Sequence, residues 1–189
     1  MHRPQITLTL AMRLDGYIAR SDGSFDWITG DGAHHADTPQ RWDFAAFLAD
    51  VDIVVMGRNS YAQGFHAEYA DKQVVVLTTT PQPAHDHVVF CHPAHVMAHV
   101  QEQANHGRAK VYVFGGGRVV AHFIDHDAID DYYVGIVPVI LSEGIALFGH
   151  QTRTVHLALH QTYVDDGVVV LHYRRRARHE LDERRDENA

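Results

Sequence analysis

The chain has 189 residues, of which 46% are hydrophobic and 21% charged, and its formal net charge at pH 7 is -8 with histidine counted as neutral. These values predict one globular domain with a sizeable core and disfavour nonspecific binding to nucleic acid. The single cysteine, Cys91, excludes an intrachain disulfide, and no apolar run reaches membrane-spanning length. Since the N-terminus also lacks a signal-peptide pattern, we expect a soluble, cytoplasmic protein without membrane partners.

The first strand is predicted over residues 6–12, where β-branched and apolar residues favour a place near the sheet centre. A turn signal at Asp15-Gly16 then leads into a long loop. This loop carries Phe25 and Trp27, which either form a lid or pocket wall or only anchor the loop on the core.

A helix is predicted over residues 41–49 and a buried strand over residues 51–56. The strand ends in a glycine turn, Gly57-Arg58-Asn59-Ser60, in which Asn59 or Ser60 is expected to cap a following helix. A cation beside a helix N-terminus suits a phosphate group, so Arg58 is a candidate ligand.

The next predicted strand, residues 74–77, ends in the hydroxyl side chains of Thr78 and Thr79. These hydroxyls can bind a ribose, a phosphate or a base, and turn chemistry explains them equally well. A short strand over 88–90 and a helix over 93–103 follow.

Three glycines, Gly115, Gly116 and Gly117, separate a strand at 111–114 from a helix that continues from residue 119 to about residue 125. Without Cβ atoms this turn can adopt positive φ and lie close to a phosphate at the helix N-terminus. The alternative is a tight strand-to-helix connection with no ligand.

Further strands are predicted over 132–139, 155–162 and 168–174, the last two joined by a hairpin. The alternation of strands and helices predicts an α/β fold in three layers, with a mainly parallel central sheet, antiparallel C-terminal strands and helices on both faces. Residues 1–175 are expected to form the domain. The arginine run at 174–178 is interpreted as solvated, and residues 176–189 as a charged tail.

Five motifs occur in the order seen in the dihydrofolate reductase-like superfamily. They are Ala11-Met12-Arg13-Leu14-Asp15-Gly16-Tyr17-Ile18-Ala19, Asp26-Trp27-Ile28-Thr29-Gly30, Val55-Met56-Gly57-Arg58-Asn59-Ser60-Tyr61, Val113-Phe114-Gly115-Gly116-Gly117-Arg118 and Pro138-Val139-Ile140-Leu141. The chain most resembles the branch that contains the C-terminal reductase domain of the bifunctional riboflavin-biosynthesis protein.

The resemblance implies that NADPH is the cofactor and implies a role for each turn. The residues it assigns to the 2′-phosphate and pyrophosphate are Gly57, Arg58, Asn59 and Ser60 at the first turn and Gly115, Gly116, Gly117, Arg118 and Val119 at the second. By the same resemblance Thr78 and Thr79 flank the adenosine, and Ala11 and Ile18 meet the nicotinamide. A homodimer is expected on the same ground.

The resemblance also implies a substrate site. In folate-reducing members a carboxylate on the helix before the Gly-Arg strand holds the pterin, and Asp43 is the candidate here, although an exposed acid on a helix is also simply solvated. Trp27 and Phe47 would then flank the substrate ring. Glu143, in a loop that departs from the family's Gly-x-Gly pattern, either contacts the substrate or faces solvent.

The sequence therefore predicts an NADPH-dependent reductase of a small, pterin-like heterocycle. The first alternative is a riboflavin-pathway reductase of a phosphoribosylaminouracil, although no second cationic cluster is evident for its phosphate. The alternative of another class is a nucleotide-binding protein without catalysis. The chain also has 17 histidines, but they are scattered and lack a metal-ligand pattern, so no metal site is expected.

Overall fold

The computed structural model describes residues 3–176. The strands are β1 (Gln5–Arg13), β2 (Tyr17–Ala19), β3 (Ile53–Gly57), β4 (Gln73–Leu77), β5 (Val88–Cys91), β6 (Lys110–Gly115), β7 (Asp131–Val137), β8 (Ile145–Ala146), β9 (Leu157–Asp165) and β10 (Val168–Arg175). The helices are α1 (Phe44–Ala49), α2 (Arg58–Ala62), α3 (Val96–Asn105) and α4 (Gly117–Asp125). Two 3₁₀ turns cover Phe65–Tyr69 and Pro93–His95.

Eight of these strands form one sheet in the order β5-β4-β3-β6-β1-β7-β10-β9. The first six strands in this order are parallel, and β10 is antiparallel to both β7 and β9. β2 and β8 pair separately as a short antiparallel ladder. The predicted fold class is confirmed, and β1 lies inside the sheet as expected.

Helices cover both faces of the sheet because neighbouring residues of each strand point to opposite sides. On one face Val111 and Val113 of β6 pack in a core that includes Phe123 of α4. On the other face Tyr112 of β6 belongs to a second core, against which Phe47 of α1 packs. The carboxyl ends of β1, β3, β4 and β6 meet at one edge between these layers.

Several predicted element ends differ from the structure for identifiable reasons. The helix predicted from residue 41 begins at Phe44, because the Asp43 carboxylate accepts a hydrogen bond from the Ala46 N–H at 2.8 Å and caps it. The prediction that Asn59 or Ser60 caps a helix is wrong: α2 begins directly after Gly57, without a side-chain cap. The glycine turn is also shorter than predicted, since α4 begins at Gly117.

The C-terminal end brings a further correction. Asp166 and Gly167 form the predicted hairpin turn, both with positive φ. Arg174 and Arg175 are part of β10 and form ion pairs, so the interpretation of the arginine run as a solvated tail is wrong for these two residues, although Arg174 is exposed. Arg174 Nε lies 3.1 Å from the Asp131 carboxylate. Residues 177–189, most of the predicted tail, lie outside the described part of the chain.

Candidate active site

A cleft of about 1180 Å³ lies at the carboxyl ends of the parallel strands, the edge where ligands bind in open α/β sheets. Both predicted glycine turns line it, together with the ends of β1 and β4. The predicted cofactor residues that line the cleft are Ala11, Ile18, Gly57, Arg58, Asn59, Ser60, Thr78, Thr79, Gly116, Gly117, Arg118 and Val119. Gly115 is buried and does not line it.

The first turn places a cation at the cleft. β3 ends at Gly57, where a Cβ atom would lie 3.3 Å from a methyl group of Val119. Arg58, the first residue of α2, is exposed and forms no ion pair with any acidic residue in 3–176. A guanidinium without an acidic partner is available to bind an anion.

The second turn brings two backbone segments together. Gly115 has a φ of +112°, which favours glycine. A Cβ atom on Gly117 would lie 2.5 Å from the Ala146 carbonyl oxygen, so only glycine permits this approach of α4 to β8. At Gly116 no atom lies within 4 Å of the Cβ position, which leaves open space beside the helix N-terminus. Arg118 is exposed at this turn.

Thr78 and Thr79 differ in how their hydroxyl groups are used. Thr78 is buried, and its hydroxyl accepts a hydrogen bond from the Thr80 N–H at 3.0 Å, as turn chemistry requires. Thr79 is exposed at the cleft. Thr79 therefore has the hydroxyl that is accessible to a ligand.

A buried brace, formed by Arg13 and Asp15, links the end of β1 and the following turn to residues 141–143. The Arg13 side chain is fully buried, and its guanidinium donates to Asp15 at 2.8 Å and to the Glu143 carbonyl at 2.6 Å. The Asp15 carboxylate also accepts the N–H groups of Leu141 and Ser142, each at 2.9 Å. Burial raises the pKa of Asp15, but these hydrogen bonds and Arg13 outweigh it and lower the pKa below its ordinary value.

The predicted substrate residues lie outside the cleft lining. Asp43 is exposed and caps α1, and Glu143 is exposed and meets Arg13 through its backbone carbonyl. Trp27 is 6% exposed, with its ring 5.9 Å from the Arg13 guanidinium, so it anchors the loop on the core. Phe47 packs edge-on against Tyr112, with ring centroids 5.5 Å apart.

Other aromatic residues line the cleft instead. Trp42 stacks on Tyr133 with ring centroids 3.9 Å apart, and Phe44 lies next to it at the start of α1. Phe25 of the long loop packs against Phe65, 5.5 Å between centroids. The aromatic content of these segments is visible in the sequence, but periodicity does not show which ring of a pair faces a ligand.

The histidines do not form a metal centre in the part of the chain that the structure describes, which has no group of three or more metal-ligating side chains. His92 has a local role, since its ring nitrogen accepts the Ala94 N–H at 3.2 Å. His122 of α4 lines the cleft, and burial, with His126 nearby, lowers its pKa. Residues 3–176 also contain no helix long and apolar enough to cross a bilayer.

Comparisons with known proteins agree with this geometry. The chain is 32% identical over 177 residues to the uncharacterized protein YwjB of Bacillus subtilis, which covers 88% of this chain and 95% of the relative. It is 28% identical over 163 residues to the riboflavin biosynthesis protein RibD of Corynebacterium ammoniagenes, covering 79% of this chain and 48% of RibD.

Solved structures show the same fold. A protein of Shewanella sp. PV-4 that is provisionally assigned to riboflavin biosynthesis has a TM-score of 0.75 and 26% identity, over 94% of this chain and 100% of that one. Dihydrofolate reductase of Enterococcus faecalis, in complex with NADP(H), has a TM-score of 0.59 and 15% identity, over 94% of this chain and 100% of the enzyme. The sequence pattern of the RibD C-terminal domain matches residues 4–171. The chain therefore belongs to the RibD C-terminal domain family.

Proposed function

We propose that the protein is an NADPH-dependent reductase of a small heterocyclic substrate of the pterin or dihydrofolate type. One observation carries the proposal: two glycine turns, each followed by an exposed arginine, meet at the carboxyl edge of the sheet beside a large cleft. Such turns suit a cofactor with phosphates at two places, as NADPH has. Membership in a family whose relatives include RibD agrees with a reductase.

The described residues fit this cofactor. Arg58 and Arg118 would neutralise its phosphates, and the open space at Gly116 leaves room for the pyrophosphate. Thr79 would contact the adenosine, while Ala11 and Ile18 would form an apolar surface against which the nicotinamide packs. NADPH supplies a hydride, and these residues orient it and exclude water from the reacting carbon.

Thermal-shift titration with NADPH, NADH and 2′-phospho-ADP-ribose tests the cofactor. Ligand at 100 times its Kd should stabilise the protein by about 2.7 kcal/mol, a rise in Tm of roughly 5–10 °C. NADPH should act at lower concentration than NADH, and Arg58→Ala should abolish this preference. Arg108→Ala, an exposed arginine outside the cleft, is the matched control and should respond like the wild type. A protein that responds to none of the nucleotides contradicts the proposal.

Two alternative functions predict different experimental results. The similarity to RibD favours a 5-amino-6-(5-phosphoribosylamino)uracil reductase as the second candidate, and turnover of that compound with NADPH would establish it. A nucleotide-binding protein without catalysis would be stabilised by NADPH but transfer no hydride to any pterin or aminopyrimidine.

We also propose that the enzyme is a homodimer and that it is located in the cytoplasm. The outer strand of the sheet, β9, carries Leu159, which is 57% exposed. An exposed outer strand with an apolar side chain favours association through the C-terminal strands. Sedimentation of the purified protein at micromolar concentration would measure the oligomeric state.

A further inference from the structure

The charged side chains that line the cleft are confined to the glycine turns and their surroundings. Among the lining residues in 3–176 there is no aspartate or glutamate. The lining side chains that can carry positive charge are Arg58, Arg118, His122 and His150. Arg58 begins α2, and Arg118 and His122 belong to α4. His150 lies against the second turn, since a Cβ atom on Gly117 would be 3.4 Å from its ring.

Aromatic rings line another part of the cleft. We define the aromatic wall as the connected rings Phe25, Phe44, Phe65, Tyr69, Tyr112 and Phe114. Ring centroids are 5.1 Å apart for Phe65 and Phe114 and 6.0 Å apart for Phe44 and Tyr112. The wall lies on the face of the sheet covered by α1, whereas α4 covers the other face.

Two rings of the aromatic wall are open to the cleft. Phe25 is 44% exposed and Phe44 is 40% exposed, and the neighbouring Ile28 is 46% exposed. Large apolar side chains that converge on a cleft gain free energy when an apolar surface covers them. The wall therefore favours a flat, apolar ligand over a hydrated or ionic one.

The aromatic wall also contains two polar groups, the hydroxyls of Tyr69 and Tyr112. Tyr69 and Tyr112 are 3% and 4% exposed, and their rings pack edge-on with centroids 6.1 Å apart. Burial raises the pKa of Tyr69 to about 12, with Glu68 contributing, and burial also raises the pKa of Tyr112 well above its ordinary value, so both hydroxyls keep their protons at neutral pH. Each hydroxyl has one hydrogen that it can donate to an acceptor.

We propose that the substrate is a flat ring without net charge, which packs on the aromatic wall and accepts a hydrogen bond from the Tyr69–Tyr112 pair at a ring nitrogen or carbonyl oxygen. This inference rests on the proposed reductase function. In the substrate a C=N bond, within the ring or joined to it, gains a hydride at carbon and a proton at nitrogen, while NADPH becomes NADP⁺. The proton comes from water or from the tyrosine pair, which water reprotonates.

Two matched pairs of substrates test the charge of the ligand. One is 6-methyl-7,8-dihydropterin against 7,8-dihydrofolate, and the other is 5-amino-6-ribosylaminouracil against its 5′-phosphate. Within each pair the heterocycle and the bond that is reduced are the same, and only one member carries an anionic group. We expect kcat/KM with NADPH, and affinity for the NADP⁺-loaded protein by tryptophan fluorescence, to be at least about tenfold better for the uncharged member.

Variants test the wall and the hydroxyl pair. Replacing both tyrosines (Tyr69→Phe with Tyr112→Phe) should weaken binding of the uncharged ring roughly fivefold, and Phe44→Ala should weaken it by a similar factor. Tyr132→Phe is the matched control, because Tyr132 is also 3% exposed with a pKa raised by burial to about 12, but lies outside the cleft lining.

The outcomes separate this inference from the proposed function. Equal or better use of the anionic members, or an unchanged affinity in the double tyrosine variant, overturns the inference. Binding of none of the four rings also overturns it, and NADPH stabilisation that depends on Arg58 would then still support the reductase. A wild-type protein that does not bind NADPH contradicts both this inference and the proposed reductase function.

Discussion

Asp43 shows how one carboxylate can be explained in two ways. The resemblance to folate-reducing enzymes predicts that Asp43 holds a pterin ring, whereas the structure uses the same carboxylate to cap α1. Its oxygen accepts the Ala46 N–H at 2.8 Å, and the residue is exposed rather than part of the cleft wall. Capping and catalysis place different demands on the side chain, because asparagine can cap but cannot act as an acid.

Substitution at Asp43 therefore separates the two roles. We expect Asp43→Asn to leave the free energy of unfolding nearly unchanged, since asparagine caps nearly as well as aspartate. Its kcat should stay within about twofold of the wild-type value. Asp43→Ala should lower the free energy of unfolding by about 1 kcal/mol through loss of the cap. Urea denaturation and steady-state kinetics measure these effects. A large loss of kcat in a stable Asp43→Asn protein would show that the acid takes part in the reaction.

At the scale of elements, the brace of Arg13 and Asp15 holds β2 and the 141–146 segment together. β8 in this segment contributes Ile145 to the cleft and meets the Gly117 turn through Ala146. Ser142 has a φ of +72°, an uncommon conformation for a residue with a side chain. The hydrogen bond from the Ser142 N–H to Asp15 helps to hold it there.

Loss of the brace should therefore loosen the second glycine turn, where we propose that NADPH binds. We expect Arg13→Met to raise the Kd for NADPH roughly tenfold and to lower Tm, because the segment that packs on Gly117 loses its support. Isothermal titration measures the Kd. Arg20→Met is the matched control, since Arg20 pairs with Asp26 at 2.8 Å where both side chains are exposed. If both variants bind NADPH like the wild type, the brace does not position the turn.

Elements differ in how well the sequence predicts them. Long apolar strands such as β1 and β6 are predicted correctly because buried parallel strands need continuous β-branched and apolar residues. β2 and β8 are too short to show periodicity, and they pair across a distance of more than 120 residues in the chain beside the buried Arg13. The two glycine turns combine a local sequence signal with a fixed place at the sheet edge, so their position at the cleft is predictable.

The substrate side of the cleft is harder to predict for a physical reason. Trp27 and Trp42 both belong to segments near the cleft, yet one packs against Arg13 and the other stacks on Tyr133. Contacts between segments far apart in the chain decide this difference, and one sequence does not contain that information in a local pattern. The aromatic wall likewise forms only when the loop, α1, β6 and the 3₁₀ turn at Phe65–Tyr69 come together.

At the scale of the whole molecule, three histidines that are buried or half-buried make stability depend on pH. Burial lowers the pKa of His99, His122 and His172, which lie on α3, α4 and β10. A lowered pKa in the folded state means that the unfolded chain binds protons first as the pH falls. Stability from these residues is therefore present above the unfolded pKa of about 6.5 and is lost as pH falls through the folded values.

Substitution of His172 is the strongest single test of this pH dependence. His172 is 2% exposed, and its Nε2 lies 2.7 Å from the Asp131 carboxylate. Burial lowers its pKa despite the opposing effect of Asp131. Burial raises the pKa of Asp131, but hydrogen bonds from His172, Arg174 and Gln5 outweigh it and lower the pKa below its ordinary value. Since the ordinary value is about 3.9, Asp131 stays ionised above pH 5.5 and adds little to the slope there.

We therefore expect the free energy of unfolding, measured by urea denaturation, to fall between pH 8 and pH 5.5. His172→Gln should reduce this slope, because glutamine does not titrate and can still donate to Asp131. His106→Gln is the matched control, since His106 is exposed at the end of α3, and its slope should equal that of the wild type. A wild-type stability that is constant or rises over this interval contradicts the prediction, because three histidines with lowered pKa can only oppose folding as the pH falls.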